Sequence, residues 1–108
     1  MSFPVFLTAD AVRDLEDIYA YIHSHDVPGK ADAVLDNLEH AVNSLSELPQ
    51  RGTYPKELLP LGIREYREIY VHVYRIVYRV TDATVYILLI ADGRRNMQNL
   101  LQLRLLQG

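Results

Sequence analysis

The stretch VYRIVYRV at residues 73–80 decides how this chain is read. Side chains along a strand alternate between two faces. Tyr74, Ile76, Tyr78 and Val80 therefore share one face, and Arg75 and Arg79 share the other. The tyrosine and aliphatic face suits burial, and the arginines are expected to project. Arg64 and Arg67 lie just upstream, and Arg94 and Arg95 just downstream. This concentration points to a surface that handles phosphate or an acidic partner.

Strand-like runs flank this stretch at about 63–71 and 84–91, with a turn at Thr81 to Ala83. A two-residue turn at His72–Val73 pairs Val71 with Tyr74, Ile69 with Ile76 and Arg67 with Tyr78, so apolar residues meet apolar residues. It also sets Tyr70 beside Arg75 and Tyr66 beside Arg79. A one-residue slip would carry the apolar set to solvent, which favours this register. The turn lacks an Asn-Gly signal. His72 tolerates a positive φ better than Val73 does, so a four-residue loop of the same parity remains open.

Upstream, Val5 to Leu7 reads as a short first strand. Thr8 is a good helix N-cap, with Asp10 in the first turn. Val12, Leu15, Ile18, Tyr19 and Ile22 recur at helical spacing, so 9–24 is an amphipathic helix. Asp26 to Gly29 makes a turn. Val34, Leu35, Leu38, Val42 and Leu45 mark a second helix over 29–48, stopped by Pro49. Residues 49–62 hold three prolines and two glycines and read as a loop that orders by packing. Arg94 to Leu106 reads as a short last helix that caps its own core or offers apolar surface to a partner. The class is α+β: an antiparallel helical hairpin on a mostly antiparallel four-stranded sheet, with a short C-terminal helix.

At 108 residues the chain is expected to form a single domain over 1–108. No cysteine is present, which excludes disulfides and thiolate metal sites. The start, MSFPVFLTAD, lacks a basic segment followed by a long apolar run, so neither a signal peptide nor a membrane association is expected. A cytoplasmic protein is the expectation. The net charge of −3 hides a segregation. Residues 1–50 carry two cations, Arg13 and Lys30, against nine carboxylates; residues 51–108 carry nine cations against five. The overall charge argues against non-specific nucleic-acid binding, while the C-terminal half is locally basic.

Metal-independent RNA cleavage needs fixed cations on the phosphate and groups that move a proton. Arg64, Arg75, Arg79 and Arg95 are candidate cations, and Tyr66, Glu68, Tyr70 and His72 are candidate proton-transfer groups. The plainer reading pairs the arginines across strands with Glu65 or Glu68 and lets their stems cover apolar surface. His23 and His25 do not share a helix face, so no metal site is expected. No phosphate-binding loop, dinucleotide fingerprint or zinc spacing occurs, and no cofactor is expected.

Five segments then carry a resemblance: LTADAVRDLEDIYAYI at 7–22, ELPQRGTYP at 47–55, GIREY at 62–66, YRIVYRV at 74–80 and VYILLIADGRR at 85–95. In this order, over nearly the whole chain, they resemble the RelE/ParE superfamily of toxins from type II toxin–antitoxin modules. The resemblance implies a cognate antitoxin as partner, in a hetero-oligomer, and one of two targets. RelE-like members cut mRNA in the ribosomal A site; ParE-like members inhibit DNA gyrase. Arg75 takes the position of the family's strand arginine, Arg95 that of the arginine near the end of the last strand, and Arg64 or Arg67 an upstream basic position. The nuclease set would thus be Arg75, Arg95 and Arg64, with Tyr70 or His72 moving the proton. The lysine pair of the nucleases is not reproduced, and their C-terminal tyrosine falls at Leu101. With the long hairpin and acidic balance, this resembles ParE more than RelE. It implies a target- or antitoxin-binding face of Arg75, Arg79, Arg94, Arg95, Leu101 and Leu105. A degenerate, non-toxic member that only binds its partner is the third possibility.

Overall fold

The computed structural model describes residues 2–106. Strand β1 (Val5–Leu7) leads into helix α1 (Ala9–His25), which turns back through α2 (Lys30–Ser44). A loop with one 3-10 turn at Leu59–Leu61 reaches strands β2 (Arg67–Val71), β3 (Tyr74–Thr81) and β4 (Thr84–Asp92), then helix α3 (Met97–Leu105). The sheet order is β1-β4-β3-β2, antiparallel except for the parallel pair β1–β4. This is the α+β architecture expected.

Local chemistry sets the boundaries. The Thr8 hydroxyl accepts from the Ala11 amide and caps α1. Gly29, at φ 87°, makes the left-handed turn into α2. The second helix ends at Ser44, short of the expected 48, because the Leu45 amide switches to Val42 and tightens the last turn. The β2–β3 register is the predicted one, from Val71↔Tyr74 to Arg67↔Tyr78. Positive φ falls on His72 (53°) and not on Val73, so the two-residue turn forms.

Two expectations for this region are corrected. Strand β2 begins at Arg67 and not at 63, so Tyr66 does not sit beside Arg79 in the ladder. Tyr66 instead turns into a core on the far face of the sheet. Arg75 does not project into solvent; it is buried, because the loop before β2 folds over its face.

The hairpin packs its apolar stripes on Ile69, Ile76, Tyr78, Val85, Ile87 and Ile90. The opposite face holds the second core, where Met97 and Leu101 of α3 meet Leu58, Tyr66, Val77, Leu89 and Ala91. A bulge lets both cores use β4. Val77 pairs with Leu89 but Tyr78 pairs with Ile87, leaving Leu88 as the extra residue. The bulge shifts the alternation by one, so Ile87 faces the hairpin and Leu89 faces α3.

Beyond Ile87, β4 has outrun β1 and its edge lacks a strand partner. Two side chains finish that edge. Asp14 of α1 accepts from the Ile90 amide at 2.9 Å, and Arg104 of α3 donates to the Leu88 carbonyl at 2.8 Å. The two side chains pair at 2.8 and 3.0 Å, which locks both helices to the strand. Asp14 lies within the α1 apolar stripe between Ala11 and Ile18, an acid out of place that signals this role.

Candidate functional site

Three folding events build the pocket around Arg75. First, β3 carries Arg75 on the α3 side of the sheet, between Tyr70 and Ala91. Second, the loop at 49–58 is stapled along the outer edge of β2 and so carried round to that side. The Tyr78 hydroxyl donates to the Pro49 carbonyl and accepts from the Gly52 amide, at 2.8 and 2.9 Å. Thr53 and Glu68 exchange backbone hydrogen bonds at 2.7 and 3.0 Å. Gly52 is required there: a Cβ would lie 2.6 Å from the Tyr78 hydroxyl and 2.7 Å from the Glu68 carbonyl. Third, buried Pro55 and Leu58 anchor the loop so that Glu57 reaches inward.

The Arg75 guanidinium is then enclosed by carboxylates. Nη1 and Nη2 donate to both Glu57 oxygens at 2.8 and 2.7 Å, and Nε donates to Glu68 Oε1 at 2.7 Å. Glu68 Oε2 accepts from the Tyr70 hydroxyl at 3.2 Å, and the Tyr70 ring lies 5.7 Å from the guanidinium carbon. Gly93 closes over the arginine stem; a Cβ there would meet Arg75 Cδ at 2.8 Å. Arg75 is 2% exposed and Glu68 3%. Hydrogen bonding to Arg75 holds the Glu57 carboxyl below its ordinary range, and the two carboxylates raise the Arg75 pKa. Burial, and then the Glu68 charge, push the Tyr70 phenol up, which makes it a poorer proton donor near neutrality.

The sequence-predicted residues thus separate into three places. Arg75 lies in the buried cluster, and Tyr70 stands at its exposed rim. Arg95 and His72 line a groove of about 790 Å³ between the hairpin and the β2–β3 turn, with Tyr21, Ile22, Val73 and Arg94. Arg94 is tied to Asp92 at 2.6 Å, whereas Arg95 makes no ion pair among the described residues. Arg64 lies elsewhere, in a cleft of about 390 Å³ with Arg67 and Arg79. Leu101 is fully buried and anchors α3, and Leu105 packs against the same core. The exposed leucines of that helix end are Leu103 and Leu106. Sequence reasoning missed Glu57; its signal was an acid between two buried loop residues.

A family model described as the ParE toxin of the parDE type II toxin–antitoxin system matches residues 5–97. This chain belongs to the ParE toxin family. The match spans every element from β1 to the start of α3. Two solved structures share the architecture. The chromosomal ParDE system from P. aeruginosa superposes with a TM-score of 0.70 at 20% identity, over 84% of this chain and 96% of that one. The RelBE2 toxin–antitoxin complex from Mycobacterium tuberculosis superposes with a TM-score of 0.58 at 27% identity, over 85% and 99%. No curated protein matches the chain. The family is that of toxins from type II toxin–antitoxin systems.

Proposed function

We propose that this ParE-family toxin acts by protein–protein contact on DNA gyrase, in the cytoplasm, and that its antitoxin holds it inactive until the pair is lost, as in plasmid stabilisation. The enclosure of Arg75 carries this reading. A nuclease of the RelE kind would aim that cation at a phosphate, yet here Glu57 and Glu68 take it up and burial shields it. The remaining cations of the nuclease set, Arg64 and Arg95, line separate cavities, so they do not converge on one phosphate. The groove with exposed Tyr21 and Val73 beside Arg95 and His72 is a suitable seat for an antitoxin segment that folds on binding.

A supercoiling assay with purified gyrase tests the reading. Inhibition with accumulation of cleaved DNA, reversed by the antitoxin, is expected at micromolar toxin. Unchanged supercoiling would refute it. The likeness to the RelBE2 complex favours one second reading, ribosome-dependent mRNA cleavage. It would have to run from Arg95 and His72 in the groove, and primer extension on translating ribosomes would reveal the cuts. A chain that arrests neither supercoiling nor growth but still binds its antitoxin would be a non-toxic member.

A further inference from the structure

Helix α3 covers only part of its face of the sheet. At the other end Phe6, Tyr86 and Arg79 are direct neighbours across β1, β4 and β3, and direct neighbours point to the same side. The Phe6 and Tyr86 rings stack with centroids 6.2 Å apart and planes inclined by 29°. They nonetheless stay 56% and 39% exposed. Arg79, next in the row, opens into the cleft shared with Arg64 and Arg67. Arg67 is steadied there by the Gly52 carbonyl at 2.8 Å and by the Tyr54 ring beneath it. Arg64, Arg67 and Arg79 make no ion pair among the described residues, and Glu65 is the single carboxylate in the lining.

Three arginines and one carboxylate line this cleft, a local excess of positive charge that a polyanion would balance. The aromatic row decides which polyanion. A peptide read by a sheet adds at an edge, where main-chain groups are free. The outer edge of β1, and that of β3 past Tyr78, are open to such a strand, but the row itself lies on the face of the sheet and offers ring faces and guanidinium groups. Nucleobases stack on ring faces without regard to sequence, while their phosphates take the cations. In a duplex the base faces are already stacked and unavailable.

We propose that this face binds single-stranded nucleic acid, with bases on Tyr86 and Phe6 and phosphates in the Arg64–Arg67–Arg79 cleft. The site is separate from the buried Arg75 cluster and stands independently of the gyrase reading.

Fluorescence anisotropy with a labelled oligothymidylate of about twelve nucleotides tests it. Three phosphate contacts predict a log–log salt slope of about −2, or roughly an 18-fold loss of affinity between about 50 and 200 mM salt. Tyr86→Ser should weaken binding about five- to a hundred-fold, while Tyr86→Phe keeps the ring and most of the affinity. Arg79→Glu should weaken binding and flatten the salt slope by at least about 0.7. Arg13→Ala, on α1 and paired with Asp10 outside the cleft and the aromatic row, should change neither. If either test variant loses its circular-dichroism signature, the exposed Phe6→Ser and Arg64→Glu replace it. No binding at about 100 µM protein, or native affinity in the Tyr86→Ser and Arg79→Glu proteins, would overturn the proposal. So would equal competition by polyglutamate, which would make the cleft a site for acidic peptides.

Discussion

Replacing Arg75 with methionine keeps much of the stem that packs under Gly93 but removes the charge between Glu57 and Glu68. Two carboxylates are then left with side chains 12% and 3% exposed and no cation. Breaking a buried pair in this way costs about 3–5 kcal/mol, mostly from the stranded charges. For a domain of this size that lowers Tm by about 12–20 °C. In the native protein Glu57 has a depressed pKa, so its contribution is present above the ordinary value of 4.5 and is lost as pH falls through the lower folded value. In the methionine variant, burial without a cation raises the Glu57 pKa above the unfolded one. Its neutral form then supports the fold below the ordinary value, and this support is lost as pH rises through the raised value. The gap between the two proteins should be widest near neutrality and should close towards pH 4. Urea unfolding of both proteins across that range measures it. Adding Glu57→Gln and Glu68→Gln to the variant should recover at least about 2 kcal/mol at neutral pH. A loss below about 1 kcal/mol, or a gap that does not change with pH, would mean that Arg75 is not a structural ion-pair centre.

Three further outcomes follow from the geometry. Ala83→Gly should stabilise the protein by about 1 kcal/mol in thermal melts, because Asp82 and Ala83 both hold positive φ in the β3–β4 turn (52° and 58°) and alanine is strained there. Gly52→Ala should cost at least about 2 kcal/mol and open the Thr53–Glu68 staple, read as faster amide exchange at Glu68. Arg104→Met should destabilise by about 2–3 kcal/mol and release α3, with faster exchange at Leu101, since it leaves Asp14 and the Leu88 carbonyl short of a partner.

The hairpin register was legible because alternation in 67–80 allows only one pairing that keeps Ile69, Ile76 and Tyr78 together. The start of α1 was legible because Thr8 is a local cap whose partner lies three residues away. The β4 bulge was not legible. VYILLI is apolar at every position, so nothing in its pattern says that Leu88 drops out of the alternation. The site split along the same line. The arginines were found by type and spacing, but their three separate surroundings depend on contacts between distant segments, such as Arg75 with Glu57 and Asp14 with Arg104.

Alone, the sequence determined the family, the order of elements, the central register and the residues able to carry charge, because periodicity, caps and turns act within a few positions. Tertiary structure decided which charges are free. A loop stapled by Tyr78 and Thr53 brings Glu57 onto Arg75, and burial converts an expected surface cation into an internal support. The second arginine of VYRIVYRV, four residues along the same strand, stays exposed in a cleft with Gln50 and Arg64 and makes no ion pair among the described residues. Whether an arginine binds outward or inward depends on the dielectric and the partners around it, and segments far apart in the chain supply both.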